Sequence, residues 1–207
     1  MMMRKAPRQV KLVLAGDGGV GKTSIRRQYL GKIFRASYIP TIGVDFAQKS
    51  VLVDDTPVTL IIWDIAGQPM FKTLRKRYYE GCSAIVLVYA IDNRESFDNA
   101  LKWLVEAYEF MGKLPSVLIL GNKTDLRQTA SNKGLVSTLE GEEFALQVAD
   151  RMGTTVLFRE TTAVTGEGIE EAFTDVTRLV LSRCRPSDSL GRRSDPVERT
   201  DNSFRVR

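Results

Sequence analysis

Residues 16–24, near the start of the chain, have types and a spacing that could hold phosphate. Gly16 opens the sequence G-D-G-G-V-G-K-T, which fits the pattern G-x-x-x-x-G-K-[ST] in full. Glycines let consecutive backbone N–H groups face one anion, and the start of a following helix adds partial positive charge. Lys22 can reach the β- and γ-phosphates of a nucleotide, and the Thr23 hydroxyl can coordinate Mg²⁺. The residues expected to line the phosphates are Gly18, Gly19, Val20, Gly21, Lys22, Thr23 and Ser24.

A second group of chemically useful residues is the sequence W-D-I-A-G-Q at residues 63–68. It begins where an apolar stretch ends. An aspartate at the carboxyl end of a strand is well placed to support Mg²⁺, so we assign that role to Asp64. The N–H of Gly67 can approach a γ-phosphate, and Gln68 can orient an attacking water molecule. Alone, this sequence would indicate an ordinary Asp–Gly turn; beside a phosphate motif it favours hydrolysis of a triphosphate.

The third group, N-K-T-D at residues 122–125, follows an apolar stretch that ends near residue 120. Ligands of open α/β sheets bind beyond the carboxyl ends of the strands, so we expect this sequence to face the same crevice as the phosphate motif. The Asp125 carboxylate can accept hydrogen bonds from N1–H and the 2-amino group of guanine, whereas adenine lacks that pair of donors. A buried polar site left without its partner discriminates by roughly 10⁴-fold. Asp125 therefore predicts a guanine nucleotide.

Six apolar stretches are predicted to form the sheet that positions these groups. They cover residues 10–15, 46–53, 58–65, 84–90, 117–120 and 155–158. The sequence D-D-T-P between the second and third stretches indicates an antiparallel hairpin, and the continuous apolar run at 84–90 is typical of a strand covered on both faces. The other strands alternate with helices. The sequence therefore predicts an α/β domain with a mostly parallel sheet, one antiparallel edge strand and helices on both faces.

Helical patterns lie between these strands. A short helix is predicted over residues 22–30. Apolar residues spaced four and three apart predict one amphipathic helix that ends at Gly112; they are Phe97, Leu101, Leu104, Tyr108 and Met111. Thr138 is predicted to cap a helix that ends at Gly153, and the last helical pattern covers residues 169–180.

The composition limits the possible chemistry. The chain has 207 residues, no histidine and two cysteines, Cys82 and Cys184, which lack metal-ligand spacing. Histidine-dependent catalysis and histidine zinc sites are therefore excluded, and a reducing compartment is expected. The sequence shows no signal peptide and no apolar run of about 20 residues, so we expect a cytoplasmic protein. The formal charge of +5 indicates a solvated basic surface or a surface for a negatively charged partner or lipid.

The chain is predicted to have three parts. Residues 1–8 are expected to form a flexible N-terminus, and residues 9–183 a single folded domain. Residues 184–207 are rich in arginine and serine and have few apolar side chains, so they are expected to form a disordered tail. All three candidate groups lie in the folded part.

In this order, the motifs resemble those of the Ras superfamily of small GTPases. The set consists of the phosphate motif, P-T-I-G at residues 40–43, W-D-I-A-G-Q and N-K-T-D. The longer sequences I-P-T-I-G-V-D-F, L-I-I-W-D-I-A-G-Q and Y-Y-E-G-C are most similar to the Rab branch, and the resemblance covers residues 10–183. It implies a P-loop G domain with a six-stranded sheet. It also implies a guanine-nucleotide switch that binds GTP or GDP with Mg²⁺ and slowly hydrolyses GTP.

The resemblance also implies roles for matching residues around the phosphates. Thr41 is expected to close on Mg²⁺ and the γ-phosphate in the triphosphate state, and Tyr38 can cover the phosphates. The implied magnesium ligands are Thr23, Thr41 and Asp64. The implied catalytic residues are Gln68, Lys22, Thr41 and Gly67. No clear arginine finger precedes Thr41, so intrinsic turnover is expected to be slow.

Around the base, contacts are implied from an aromatic residue and two loops. Phe34, seven residues before Thr41, matches an aromatic that packs against the base. The loop contacts are Asn122, Lys123 and Asp125, together with Thr162, Ala163 and Val164. The last three align with the family's S-A-K, where the Ala163 N–H can still meet guanine O6. The lysine contact of that motif is lost, so somewhat weaker nucleotide affinity is expected.

The resemblance further implies a surface that partners read. Phe46, Trp63 and Tyr78 match a hydrophobic triad that Rab-like proteins present to effectors, and core packing is the alternative role for the same three side chains. The expected partners are GTP-state effectors, an exchange factor and a GTPase-activating protein. A monomer that binds no nucleic acid is expected.

Some positions depart from the family pattern. Residues 75–77 are more basic than expected, and Pro69 follows Gln68. The sequence N-S-F-R-V-R at 202–207 contains no C-a-a-X box, and Cys184 is expected to be an inert thiol or a site of acylation. At most weak or transient membrane contact is therefore expected.

Other functions remain open from the residues alone. A P-loop ATPase or kinase would share the phosphate motif but would not need Asp125. A nucleotide-binding scaffold with little turnover would not need Thr41 or Gln68. A nuclear-transport GTPase also lacks a lipid anchor, but the acidic tail expected of it is absent from the Arg-rich end of this sequence.

Overall fold

The computed structural model describes residues 7–32, 41, 43–65, 72–129 and 134–183, with only the backbone described at 72–74 and 129. The strands form a single six-stranded sheet in the order β2-β3-β1-β4-β5-β6. They are β1 Arg8–Ala15, β2 Val44–Val53, β3 Thr56–Ile65, β4 Ala84–Ala90, β5 Ser116–Asn122 and β6 Val156–Thr161. The edge strand β2 pairs antiparallel with β3, and every other pairing is parallel. The predicted fold class is confirmed.

Helices cover both faces of this sheet. They are α1 Lys22–Tyr29, α2 Lys72–Tyr79, α3 Arg94–Asp98, α4 Ala100–Met111, α5 Leu126–Thr129, α6 Thr138–Met152 and α7 Ile169–Arg183. None of the helices in the described ranges is long and apolar enough to cross a bilayer. The segment 184–207, predicted to be a disordered tail, lies outside the described residues, and β1 begins at Arg8 within the segment predicted to be flexible.

Two apolar clusters hold the helices on the sheet. Alternate residues of β1 point to opposite faces, as the pleat of a strand requires. Leu12 and its neighbours two residues away pack with α1 and α7, where the rings of Tyr29 and Phe173 stack at 4.1 Å. Val13 lies in the other cluster, which α2, α4 and α6 cover. Because β1, β4 and β5 are buried on both faces, their carboxyl ends are fixed in position at one edge of the sheet.

The predicted hairpin is present, with a tight turn. Asp54 and Asp55 join β2 to β3 with φ angles of 46° and 60°, and positive φ at both central residues is the signature of a type I′ turn. β3 starts at Thr56, two residues earlier than predicted, because Thr56 and Pro57 already pair with β2. This register directs β3 so that Asp64 arrives beside the end of β1.

The helix predicted across residues 97–111 is divided. α3 and α4 meet at Asn99, and the Asn93 side chain caps α3 by accepting a hydrogen bond from the Ser96 N–H at 3.1 Å. The predicted inward face was also partly wrong. Tyr108 is 46% exposed, whereas Trp103, Leu104 and Ala107 are buried.

Two further details correct the sequence-based expectations. The cap of α6 is Ser137 rather than Thr138, and Ser137 forms a reciprocal capping box with Glu140. The Arg94 side chain and the groups of Ser137 hold the pKa of Glu140 well below its usual range, at about 2. The short helix α5 follows N-K-T-D directly and was not predicted.

Candidate functional site

The phosphate motif forms the loop between β1 and α1, which we call the phosphate loop (residues 16–21). Gly16 has a φ of +133°, and a Cβ there would lie 2.1 Å from the Val88 carbonyl oxygen. Gly21 has a φ of +102°, and its Cβ would lie 2.2 Å from Nδ2 of Asn122. A side chain would be strained at either position, because both φ values lie in the region that favours glycine and a Cβ would meet the Val88 backbone of β4 or the Asn122 amide at the end of β5. The loop is therefore pressed against the sheet edge.

The tip of the loop opens towards solvent. Gly18 and Gly19 are exposed, Val20 is buried, and Ser24 is half-buried on α1. Gly21 occupies the cap position of α1, and no side-chain hydrogen bond is found at that cap. The first amides of α1 therefore remain suited to an anion, as the helix dipole favours.

Lys22 lies across the inside of the loop. It is 7% exposed, and its Nζ donates hydrogen bonds to the carbonyls of Gly16 at 2.6 Å and Asp17 at 2.7 Å. Burial lowers the pKa of Lys22 to about 8, while the carboxylates of Asp64 and Asp17 act in the opposite direction. A phosphate in the loop would supply the negative charge that this buried ammonium lacks.

Three oxygen-bearing side chains, which we call the metal corner (Thr23, Thr41 and Asp64), converge beside the phosphate loop. The Thr23 hydroxyl donates to Oδ2 of Asp64 at 2.5 Å and lies 2.9 Å from Oγ1 of Thr41. Asp64 is fully buried. Burial raises its pKa, and the Thr23 hydrogen bond and Lys22 oppose that shift.

The metal corner fits Mg²⁺. Hydroxyl and carboxylate oxygens are the ligands that this cation prefers. Oδ1 of Asp64 is buried without a hydrogen-bond partner among the described residues, so a lone pair is available at the corner. Within the described ranges there is no group of three or more His, Cys, Asp or Glu side chains that could hold a metal. Mg²⁺ would therefore depend on these hydroxyls and on phosphate oxygens of a nucleotide.

Asn122 connects the N-K-T-D loop (residues 122–125) to the phosphate loop. It ends β5 and is 1% exposed. Its Nδ2 donates to the Val20 carbonyl at 2.8 Å, and its Oδ1 accepts from the Thr161 hydroxyl at 3.3 Å. The contacts found for this side chain thus join loops of the protein, which is a bracing role that the sequence did not reveal.

The two loops predicted to hold guanine are joined to each other. The Thr162 hydroxyl donates to Oδ1 of Asp125 at 2.5 Å and accepts from the Val164 N–H at 3.2 Å. Ala163 is buried, whereas the Val164 side chain is 48% exposed. Lys123 adopts a left-handed conformation with a φ of 71°, and its Nζ lies 3.1 Å from Asp92.

The aromatic triad lies on the β2 side of the sheet. The rings of Phe46 and Trp63 are 5.4 Å apart, as are those of Trp63 and Tyr78. Phe46 is 57% exposed, while Trp63 and Tyr78 are half-buried and pack against the second apolar cluster. The two environments considered from the sequence, an exposed surface for partners and packing in the core, therefore both occur within this row of three rings. Phe34, Tyr38, Gly67 and Gln68 lie outside the described residues, and their roles stay predictions.

Two charged residues near the site were missed. Asp17 accepts hydrogen bonds from Nε1 of Trp103 at 2.7 Å and Nδ2 of Asn99 at 2.8 Å, which ties the phosphate loop to α4. Arg26 is 5% exposed on the inner side of α1, bonds to Asp45, and places its Nε 3.7 Å from Oδ2 of Asp64. One signal could have revealed Arg26, since it follows Lys22 by four residues and so shares its helix face.

The basic stretch at residues 75–77 is not a uniform solvated surface. Lys76 and Arg77 are exposed, but Arg75 is buried against α4. Its guanidinium pairs with Glu106 through two hydrogen bonds of 2.6 and 2.7 Å and lies 4.7 Å from the centre of the Trp103 ring. Arg75 therefore holds α2 on α4.

Comparison with known proteins decides the family. The model of the Ras family matches residues 11–182 of the chain. This chain belongs to the Ras family. The Ras-related protein Rab-8B of Homo sapiens is 36% identical over 196 residues, which cover 93% of this chain and 89% of that protein. The GTP-binding protein yptV2 of Volvox carteri is 39% identical over 174 residues, covering 84% and 76%. The Ypt/Rab-type GTPase avaA of Emericella nidulans is 34% identical over 200 residues, covering 95% and 94%.

The predictions of a Rab-like small GTPase, of GTP hydrolase activity and of GTP or GDP with Mg²⁺ as the ligands are confirmed. Effectors, exchange factors and GTPase-activating proteins are the kinds of partner that membership of this family implies. The phosphate loop and the metal corner of this Rab-like GTPase lie at the edge of the sheet where the carboxyl ends of β1 and β3 meet.

Proposed function

We propose that this Rab-like GTPase works as a switch in membrane trafficking or signalling, and that the residues predicted from its motifs perform the chemistry. The observation that carries this proposal is that Thr41 and Asp64 each lie within hydrogen-bond distance of the Thr23 hydroxyl beside the phosphate loop. Thr41 comes from a different part of the chain than Thr23 and Asp64. A γ-phosphate that engages this corner can therefore order the segment around Thr41, and its loss releases that segment.

In the proposed reaction, the phosphate loop and Lys22 offset the charge that develops on the β- and γ-phosphates. Bound Mg²⁺ supplies further charge neutralisation for the same oxygens. Gln68 orients a water molecule for in-line attack, and the Gly67 N–H contacts the γ-phosphate. Asp125 accepts from guanine, supported by Thr162, while Ala163 donates to guanine O6. A GTPase-activating partner is expected to supply an arginine, so the protein alone hydrolyses GTP slowly.

Substitution of Gln68 tests the chemical step. In Gln68→Leu, phosphate release in a single turnover of bound GTP should fall at least tenfold, while affinity for GTP and GDP stays near that of the unchanged protein. The matched control is Gln147→Leu on the exposed side of α6, which should keep the original rate. An unchanged rate in Gln68→Leu would remove the role given to this residue.

Base preference tests the role proposed for Asp125. Competition of ATP against labelled GDP should fail at concentrations where GTP succeeds, and Asp125→Ala should weaken GDP binding by roughly 10³-fold or more. The P-loop ATPase alternative predicts that ATP competes well. A scaffold with little turnover would bind GTP with the same preference but release no phosphate in the single-turnover experiment.

Partner recognition is proposed to involve the exposed edge of the aromatic triad. Phe46→Ala should weaken capture of partners that bind only with a non-hydrolysable GTP analogue. Leu52→Ala, at another exposed apolar residue of β2, is the matched control and should keep capture intact. Equal capture by the GDP form and the analogue form would contradict a switch.

The proposal also includes the setting in which the switch acts. We expect a cytoplasmic monomer that makes at most weak or transient membrane contact and binds no nucleic acid. Within this setting, the family implies effectors, exchange factors and GTPase-activating proteins as the kinds of partner. Light scattering measures the mass in solution, and flotation with vesicles measures membrane binding. A dimer, or stable flotation without a partner, would contradict this part.

A further inference from the structure

The inner face of α1 carries a permanent positive charge beside the metal corner. Arg26 is 5% exposed, although arginine is seldom buried to this degree without full pairing. One guanidinium nitrogen bonds to Asp45 of β2, whose side chain is 61% exposed. The Nε is buried and has no hydrogen-bond partner among the residues that the structure describes. It lies 3.7 Å from Oδ2 of Asp64, within ion-pair distance of that buried carboxylate.

The Asp64 oxygen that Arg26 faces is the one that binds the Thr23 hydroxyl at 2.5 Å. Arg26 and the metal corner therefore draw on the same carboxylate. The Arg26 guanidinium brings a full positive charge to this carboxylate. In a buried setting, a fixed charge repels a nearby divalent cation far more strongly than it would in water.

We propose that Arg26 lowers the affinity of the metal corner for Mg²⁺ and thereby speeds release of the bound nucleotide. The inference rests on the proposed roles of Thr23, Thr41 and Asp64 as magnesium ligands. Bound Mg²⁺ and the phosphates hold each other in place, so a corner that binds the cation weakly also retains GDP weakly. At limiting Mg²⁺, this Rab-like GTPase would then exchange nucleotide faster than it would without the charge of Arg26.

Asp45 moderates this effect. Its carboxylate pulls the Arg26 guanidinium towards β2 and cancels part of its charge. Loss of the Asp45 charge leaves Arg26 paired with Asp64 alone, so the competition with Mg²⁺ becomes stronger. Substitutions at the two residues therefore move Mg²⁺ affinity in opposite directions, which a purely structural role of the Arg26–Asp45 pair does not predict.

The experiment measures release of a fluorescent GDP analogue from the full chain across buffered free Mg²⁺ concentrations. In Arg26→Met, which keeps the apolar stem but not the charge, the Mg²⁺ concentration at half-maximal retention should fall about tenfold. In Asp45→Asn it should rise. Arg26→Lys keeps a charge and should stay close to the unchanged protein. Arg27→Met, at the neighbouring cation of α1, is the matched control and should not shift the midpoint.

A second measurement separates charge from structure. With excess EDTA no Mg²⁺ is bound, so release should be equally fast in the unchanged protein and in Arg26→Met. The inference is overturned if the midpoint of Arg26→Met does not fall, if Met and Lys behave alike, or if release in EDTA changes as much as release in Mg²⁺. Should Arg26→Met fail to fold, the direction of the Asp45→Asn shift decides.

Two further variants distinguish a failure of this inference from a failure of the proposed magnesium site. Thr23→Ala and Asp64→Ala should each raise the Mg²⁺ midpoint by tenfold or more if they serve the metal corner. If neither does, the site assignment itself fails. If both do while Arg26→Met leaves the midpoint in place, only the role of Arg26 is refuted.

Discussion

The contact between α2 and α4 gives a quantitative test of how this fold holds the helix that follows the W-D-I-A-G-Q segment. The Arg75 side chain is 4% exposed and that of Glu106 is 12% exposed, and two hydrogen bonds of 2.6 and 2.7 Å join them. The guanidinium also lies over the ring of Trp103 at 4.7 Å. In Arg75→Met the apolar stem is kept, whereas the charge and both hydrogen bonds are lost.

The expected loss follows from the burial of the pair. Removing one partner of a fully buried ion pair costs about 3–5 kcal/mol, because the other charge is left without compensation. Glu106 keeps some contact with water, so we expect less than this, about 2–3 kcal/mol of unfolding free energy. That loss corresponds to a melting temperature lower by about 4–12 °C in a domain of this size. The double variant Arg75→Met/Glu106→Leu should regain all but about 1 kcal/mol, because no buried charge remains.

Urea unfolding at fixed GDP and Mg²⁺ measures these values, since bound ligand adds to the apparent stability. Lys76→Met is the matched control on the exposed side of α2 and should change the free energy of unfolding by less than about 0.5 kcal/mol. A loss below about 1 kcal/mol in Arg75→Met, or a double variant that is less stable than either single variant, would refute the reasoning.

Three further predictions concern other parts of the fold. Gly16→Ala should cost about 3 kcal/mol or more in urea unfolding, because the new Cβ would meet the Val88 carbonyl oxygen at 2.1 Å and the φ is +133°; a loss below about 1 kcal/mol would contradict it. Glu140→Gln should cost about 1 kcal/mol or less at pH 7, because the neutral amide loses the charge that binds the Arg94 side chain and the Ser137 groups. The pKa of Glu140 is lowered to about 2 in the fold, so this contribution is complete above pH 4.5 and disappears as the pH falls towards 2; stability curves that stay parallel over this range would refute it. Burial raises the pKa of Cys82 to about 11. In a Cys184→Ser variant, the Cys82 thiol should therefore react with iodoacetamide at pH 8 roughly 100-fold more slowly in the folded protein than in the unfolded protein. Equal rates in the two states would count against the burial of Cys82.

The elements that the sequence predicted well are those whose signal is local. The continuous apolar run of β4 and the glycines around the phosphate loop each carry their structural requirement within a few residues. The hairpin of β2 and β3 was found for the same reason, since Asp54 and Asp55 can adopt the positive φ that its turn needs.

The elements that the sequence predicted poorly depend on partners far along the chain. Spacing placed Tyr108 on the inner face of a single helix, but Trp103 lies there because Asp17 and Arg75 bind its indole. In the same way, nothing near Arg26 in the sequence shows that it would pair with Asp45 across the fold. Helical periodicity identifies the apolar face of a helix, whereas contacts with distant parts of the chain decide which residues at the margin of that face are buried.

Asn122 gives the site a fixed length. One end of its amide holds the Val20 carbonyl of the phosphate loop at 2.8 Å, and the proposed guanine contact Asp125 follows on the same short stretch of backbone. The distance between the place for the base and the place for the phosphates is therefore set by one buried side chain. A molecule that reaches only one of the two ends, such as a free base or inorganic triphosphate, forgoes the contacts at the other. If the proposed site is correct, we expect the protein to select its ligand by span as well as by chemistry.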